Sequence, residues 1–227
     1  MTGVAHTYGA LARALAPPGG DASAFGALGL RVPDAGVLEA EHVALFGRAG
    51  RAVVSPYEGA HRGVGLHALL AAYAAAGFAP DPSFRDRPDH VSVELAFLEG
   101  LCRRAERARA RRDRETARAA ADRSRDFLAR HVRRWVPAFF DSLLRTEGFR
   151  VHQGLAARAT PFLRREGACA SAPGGGVGSD APPAGPSCTT CGSPLGFTPP
   201  EREDSRPAWG FVCVRCRLRA DLRRFES

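Results

Sequence analysis

The stretch PDHVSVELAFLEGLC, residues 88–102, predicts a helix with a sharply defined start. Asp89 follows a proline and precedes the apolar periodicity, so its carboxylate is predicted to cap the helix N-terminus. At about 3.6 residues per turn, the stretch carries one apolar stripe. The stripe comprises Val91, Leu95, Leu98 and Cys102 and is widened by Phe97 and Leu101. We expect it to face the core, so the remaining helices should be arranged around this one.

One acidic residue falls inside the apolar stripe. Glu94 lies between Leu98 and Leu101 on the helical wheel, and a carboxylate in a core-facing position needs a partner. His90 is one turn earlier, within reach of an i,i+4 pair. Two interpretations are open: Asp89, His90 and Glu94 form a helix cap with an internal ion pair, or they form a small polar site. The residues alone favour the cap and ion pair, and no nucleophile accompanies them that would indicate catalysis.

The composition is that of an ordinary globular protein, with 44% hydrophobic and 25% charged residues among 227. Lysine is absent, and arginine alone provides the net charge of +8 beyond the acidic residues. Residues 103–134 contain thirteen arginines and five acidic residues. No aromatic residues alternate with these arginines as a single-strand binding surface requires. We therefore favour a solvated helix face over a nucleic-acid site.

The helical periodicities predict an all-α domain over residues 1–165, because no alternating strand pattern occurs there. The predicted helices span residues 8–16, 35–46, 55–77, 89–102, 105–136 and 151–163, with Asp34 expected to cap the second. Pro137 is expected to interrupt or kink the fifth helix, whose apolar pattern resumes at Phe139 and continues until Gly148. A Gly/Pro-rich linker is predicted over residues 166–186. The chain begins without a signal-peptide pattern and has no membrane-spanning apolar run, so we expect a cytoplasmic protein.

Four of the six cysteines form two Cys-x-x-Cys pairs in a small C-terminal module, residues 187–227. They are Cys188, Cys191, Cys213 and Cys216. Two such pairs can close a tetrahedral thiolate site, and residues 209–212 are typical of a short strand leading into the second pair. The pattern predicts a zinc ribbon with structural Zn²⁺; an iron–sulfur centre or a redox dithiol is the less favoured alternative. A site closed by four sulfurs leaves no position for a metal-activated water, which argues against a metal-dependent enzyme.

Three stretches together resemble the TorD/DmsD family of chaperones in order and spacing. They are SPYE at residues 55–58, PDHVSVELAFL at residues 88–98, and FLARHVRRWVPAF at residues 127–139. The resemblance covers about residues 35–150. It implies an all-helical, cytoplasmic, non-catalytic protein that binds the twin-arginine signal peptide of a molybdenum enzyme precursor. Such a chaperone holds the precursor back from export until its cofactor has been inserted.

The resemblance also implies roles for the matching positions. Asp89 and His90 match the family's Asp-His pair, which is implicated in signal-peptide binding. The matching signature positions with architectural roles are Tyr57, His131, Trp135 and Pro137. A signal peptide presents arginines and an apolar segment, so its receptor should combine an apolar groove with a few carboxylates. We therefore add Glu94 to the predicted signal-peptide site.

The sequence thus predicts a cytoplasmic chaperone for the maturation of a molybdenum-containing oxidoreductase. Its expected partner is a precursor with a twin-arginine leader, and the tethered zinc ribbon is expected to add a second contact surface. The alternative, from another functional class, is a nucleic-acid-binding regulator that uses the ribbon and the arginine-rich segment. That alternative requires an affinity for nucleic acid that falls steeply as the salt concentration rises. The chaperone function does not require this dependence.

Overall fold

The structure is a computed structural model, and it describes residues 3–17, 20–31, 34–47, 52–63, 66–80, 84, 86–170, 195–198, 210–213 and 219–220. The chain divides into two compact units. The first comprises Met1–Val64 and Asp89–Gly174, and the second comprises Gly65–Pro88 and Gly175–Ser227. The predicted domain boundaries at residues 165 and 186 remain predictions.

The described elements of the first unit are all helical, as predicted for this part of the chain. In chain order the helices are α1 (Val4–Ala14), α2 (Ala22–Ala27), α3 (Ala35–Phe46), α4 (Glu58–Arg62), α5 (His67–Ala75, in the second unit), α6 (Val91–Ala110), α7 (Arg114–Phe127), α8 (Arg133–Arg145) and α9 (Arg150–Ala170). A π-helical turn, Leu128–Val132, joins α7 to α8. Of the described helices, none is long and apolar enough to cross a lipid bilayer.

Helix α6 is the centre of the first unit. It packs against α1 and α7, and its first five residues, 91–95, are all buried. The predicted apolar stripe is buried too, except Cys102, which is half-buried. Burial on several faces explains why polar residues in the first turns of α6 lie in the interior.

Two of the predicted helices are each divided into two helices in the structure. In each case a residue within the predicted helix, a glycine in one and an arginine in the other, adopts a left-handed conformation. The expected helix over residues 55–77 is two helices: α4 ends before Gly63, whose φ is 64°, and α5 begins at His67. The helix expected from residue 105 is also divided, at Arg112, whose φ is 61°. Helix α7 then begins behind Asp113, whose carboxylate accepts a hydrogen bond of 3.0 Å from the N–H of Thr116.

The predicted interruption at Pro137 is also wrong. Pro137 is the fifth residue of α8, and the helix continues through it to Arg145. A proline at this position removes the hydrogen bond to the carbonyl of Arg133. Packing of α8 against α4 and α9 stabilises the helix in spite of this loss. The departure from α-helical geometry lies earlier, in the π-helical turn Leu128–Val132.

Several other elements are as expected or longer. Helix α3 has the predicted bounds, and Asp34 caps it by accepting a hydrogen bond of 2.8 Å from the N–H of Val37. Helix α2 was not predicted, although Asp21 caps it in the same way. Helix α9 reaches Ala170 and so includes the first residues of the segment predicted as a linker; the rest of that segment lies outside the described residues.

In the second unit the structure describes α5 and a three-stranded antiparallel sheet. The strands are β1 (Leu195–Thr198), β2 (Gly210–Cys213) and β3 (Arg219–Ala220), in the order β1-β2-β3, with Leu195 opposite Cys213. Cys188, Cys191 and Cys216 lie outside the described residues, and only the backbone of Cys213 is described. The zinc site therefore remains a prediction.

Candidate functional site

The three residues predicted to bind a signal peptide lie at the start of α6 and are buried. The exposed fraction is 0% for Asp89, 1% for His90 and 0% for Glu94. None of them presents its side chain at the surface. Their contacts within the protein therefore decide what they contribute.

Asp89 does not cap α6 as predicted; it caps α4. Its Oδ2 accepts a hydrogen bond of 3.0 Å from the N–H of Gly59, and its backbone carbonyl accepts one of 3.0 Å from Glu58. The reason is an antiparallel contact between residues 56–58 and 89–91, in which Tyr57 bridges to His90 and the N–H of Val91 donates to the carbonyl of Pro56. This contact places the N-terminus of α4 over Asp89.

His90 is the residue that caps α6. Its Nδ1 accepts a hydrogen bond of 3.2 Å from the N–H of Ser92 and lies 2.7 Å from the Ser92 hydroxyl. Its ring also packs edge-on against Tyr57, with ring centres 5.5 Å apart. His90 thus joins the start of α6 to the segment that precedes α4.

The partner of Glu94 is Trp135, on α8, in place of the expected His90. The indole N–H of Trp135 donates to Oε2 of Glu94 at 3.1 Å, whereas Oε1 is buried without a hydrogen-bond partner. Burial raises the pKa of Glu94 well above its ordinary value of 4.5. The nearby carboxylates of Glu58 and Asp89 raise this pKa further, and the Trp135 hydrogen bond offsets only part of the increase. Glu94 consequently keeps its proton at a pH where most glutamates have lost it.

A third carboxylate, Glu58, lies beside Asp89 and Glu94, and no pattern in the sequence predicts its burial. It is 2% exposed, its Oε1 accepts a hydrogen bond from Nη1 of Arg62, and both its oxygens lie 3.1 Å from Nδ1 of His131. Burial by itself raises the pKa of Glu58, but the contacts with His131 and Arg62 outweigh burial, so the pKa is lowered from 4.5. Because an ionised carboxylate can only accept, Nδ1 of His131 is the donor.

Glu58, Asp89 and Glu94 are hereafter called the carboxylate cluster. Glu58 and Glu94 are close enough for their charges to repel, yet their pKa values are shifted in opposite directions. Glu58 has a cationic neighbour on one side, Arg62, and a hydrogen-donating neighbour on the other, His131. Within the cluster, hydrogen-bond donors and the nearby cation favour the ionised form of Glu58, and burial favours the protonated form of Glu94. The ionised carboxylate of Glu58 suits the binding of a cationic group.

Two of the predicted signature positions, His131 and Trp135, contact this cluster. His131 stacks on Phe127 with ring centres 4.7 Å apart, and Trp135 lies 5.1 Å from the exposed ring of His61. Pro137 is exposed two residues beyond Trp135. The i,i+4 spacing of Glu58 and Arg62 is typical of an ion pair on one helix. No local pattern indicates the contact of Glu58 with His131, which is 73 residues away.

The arginine-rich segment, residues 103–134, runs from the C-terminal part of α6 through all of α7 and the π-helical turn into the start of α8. Four of its arginines line a surface pocket with Ala117 and Ala121; they are Arg109, Arg112, Arg114 and Arg118. Other arginines pair with acidic residues one turn away on the same helix, as Arg130 does with Asp126 at 2.6 Å. Most of these side chains are exposed, as expected for a solvated face. No group of three histidine, cysteine or acidic residues suited to hold a metal occurs in the described part of the chain.

Comparison with known proteins gives matches over the N-terminal part of the chain. A profile of the family described as nitrate reductase delta subunit matches residues 1–141. The selenate reductase assembly chaperone protein of Thauera selenatis is 39% identical over 127 residues, which is 52% of this chain and 64% of the relative. The chlorate reductase assembly chaperone protein of Ideonella dechloratans is 37% identical over 117 residues, which is 48% of this chain and 59% of the relative. The chain thus spans about three fifths of each relative's length. No solved structure gives a significant match.

Proposed function

The chain belongs to the nitrate reductase delta subunit family, and from this premise we propose that it is a non-catalytic chaperone that assembles a molybdenum-containing oxidoreductase. Family membership agrees with the resemblance to the TorD/DmsD chaperones in the sequence. Two relatives are named as assembly chaperones of a selenate and a chlorate reductase. The proposed client is accordingly the catalytic subunit of a related reductase.

The finer part of the proposal is that the chaperone binds the twin-arginine leader of its client in the cytoplasm and delays export until the cofactor is inserted. The observation that carries it is Glu58, a buried and ionised carboxylate that already pairs with a guanidinium group, that of Arg62. Guanidinium groups match carboxylates in planar, bidentate geometry. In this proposal Asp89 and His90 act by fixing the starts of α4 and α6, where their side chains accept backbone hydrogen bonds.

The leader proposal is tested by titrating the full chain with a fluorescent peptide that carries a reductase twin-arginine leader. We expect binding with a Kd of about 1 µM. A twin-lysine version should bind about tenfold more weakly, because an ammonium group lacks the planar fork of donors. Equal affinity for a scrambled leader would contradict the proposal. An oligonucleotide that binds more tightly than the leader, with an affinity that falls steeply with salt, would support the nucleic-acid-binding alternative.

We also propose that Cys188, Cys191, Cys213 and Cys216 hold a structural zinc ion. Support comes from the spacing of the two pairs and from the pairing of β1 with β2, which places Leu195, four residues after Cys191, opposite Cys213. Metal analysis of the purified chain should give about one zinc per chain. The variant Cys213→Ser should lose it, whereas Cys102→Ser, which changes a cysteine of α6, should keep it. Iron in place of zinc, with visible absorbance, would favour the iron–sulfur alternative.

A further inference from the structure

We propose that Glu58 and the backbone carbonyl of Arg130 form a guanidinium-binding site, that Arg62 occupies this site in the free protein, and that an arginine of the client leader displaces Arg62 from it. The displacement step rests on the leader-binding function proposed above. The guanidinium site itself does not, so the two can be tested separately.

The acceptors of the site are held in place independently of Arg62. His131 contacts both oxygens of Glu58 at 3.1 Å, and His131 in turn stacks on Phe127. The backbone N–H of Glu58 donates to the carbonyl of Asp89, which fixes the start of α4. The carboxylate would therefore keep its position if Arg62 moved away.

The second acceptor is supplied by the π-helical turn. The carbonyl of Arg130, within Leu128–Val132, accepts a hydrogen bond of 3.0 Å from Nη1 of Arg62 on a different helix. A π-helical turn widens the backbone ladder, and such turns are frequent at functional sites. A carboxylate and a carbonyl that converge on one nitrogen are the acceptors that a guanidinium group requires.

Three features of Arg62 favour its displacement from the site. Both of its hydrogen bonds use the same nitrogen, Nη1, so the planar fork of the guanidinium is only partly engaged. The side chain of Arg62 is 24% exposed, whereas that of Glu58 is 3% exposed. Arg62 is also the last residue of a five-residue helix that ends at Gly63 in the left-handed conformation. Movement of this one residue opens the site without disturbing α6 or α8.

The charges of the cluster make the exchange selective. When one guanidinium replaces another, the charge on Glu58 stays compensated. A leader without arginine would leave a buried carboxylate without its cation, which is strongly unfavourable. Glu94, whose pKa is raised by burial, adds a buried carboxyl oxygen without a hydrogen-bond partner near the same place. The site should thus accept arginine in preference to a neutral side chain.

The guanidinium site is tested by chemical rescue of Arg62→Ala with methylguanidinium. Removal of Arg62 should lower the melting temperature, and methylguanidinium at about 20 mM should restore about 2–4 °C of the loss. Methylammonium should restore less, and wild-type protein should not respond. The matched control is Arg125→Ala, which removes an exposed arginine of α7 paired with Asp122. An equal response of the two variants to methylguanidinium would overturn the site. Should Arg62→Ala fail to fold, Arg62→Gln serves in its place.

The displacement step is tested by titrating wild type and Arg62→Gln with the twin-arginine leader and with a twin-glutamine version of it. Arg62→Gln should bind the twin-arginine leader about fivefold more tightly, because no internal arginine competes, and the twin-glutamine leader no more tightly than wild type does. Unchanged or weaker binding of the twin-arginine leader would overturn the displacement step. If neither protein binds any leader while methylguanidinium rescue is observed, the leader-binding function fails and the guanidinium site stands.

Discussion

Replacing Glu58 by alanine is expected to lower the free energy of unfolding by about 3 kcal/mol at neutral pH. Loss of one partner from a buried charge pair is costly because it leaves the others uncompensated. Here the buried ring of His131 loses the acceptor of its Nδ1–H, and the guanidinium of Arg62 loses its carboxylate. We expect the lower end of the usual range, because Arg62 is partly exposed and can turn toward water.

The loss should depend on pH in a defined direction. The pKa of Glu58 is lowered in the folded protein, so its stabilising contribution is present above the ordinary value of 4.5 and is lost as the pH falls through the lowered value. Urea unfolding followed by circular dichroism should therefore show the difference between wild type and Glu58→Ala narrowing in acid. The control, Asp126→Ala, removes a carboxylate from an exposed pair with Arg130 and should change stability by about 0.5 kcal/mol or less. A deficit that is the same in acid and at neutral pH would point to lost packing instead of lost charge.

The features predicted correctly from the sequence depend on residues close together in the chain. The bounds of α3, its Asp34 cap and the buried stripe of α6 follow from helical periodicity and one capping residue. The division between α6 and α7 was missed because arginine and alanine favour helix on both sides of Arg112. Asp113, followed by Thr116, was the local signal for a new helix start.

The features missed depend on contacts between distant segments. Asp89 caps α4, which begins 31 residues earlier in the chain, and not the helix that follows it. Glu41 of α3 likewise accepts hydrogen bonds from the N–H groups of Val151 and His152 at the start of α9. In both cases a carboxylate satisfies the N-terminus of a helix remote in sequence. Helical periodicity cannot indicate which helix end a carboxylate will meet.

The same limit explains why the carboxylate cluster was found only in part. Asp89 and Glu94 were noticed because one follows a proline and the other interrupts an apolar stripe. Glu58 lies in the stretch SPYE, residues 55–58, where no local feature indicates that its side chain is buried. Its importance follows from the antiparallel contact of residues 56–58 with residues 89–91 and from His131 in the π-helical turn.

Replacing Glu94 by glutamine is expected to stabilise the protein at neutral and alkaline pH. Burial raises the pKa of Glu94 in the folded state, so the protonated form favours folding. Its contribution is fully present below the ordinary value of 4.5 and is lost as the pH rises through the raised value. Within that interval a single group changes the free energy of unfolding by up to about 1.4 kcal/mol per pH unit. Glutamine is neutral throughout, so this decline should be absent in the variant.

The comparison with alanine separates the charge of Glu94 from its hydrogen bond. The amide oxygen of glutamine can still accept the indole N–H of Trp135, as Oε2 of Glu94 does at 3.1 Å. Glu94→Ala removes that acceptor and leaves the N–H buried and unpaired, which should cost about 1–3 kcal/mol on top of a cavity. Urea unfolding should therefore be measured from about pH 5 to about pH 9. The difference in the free energy of unfolding between wild type and Glu94→Gln should grow as the pH rises. A difference that stays constant over this range would show that Glu94 is ionised throughout, and the cluster would then hold two charged glutamates against one guanidinium.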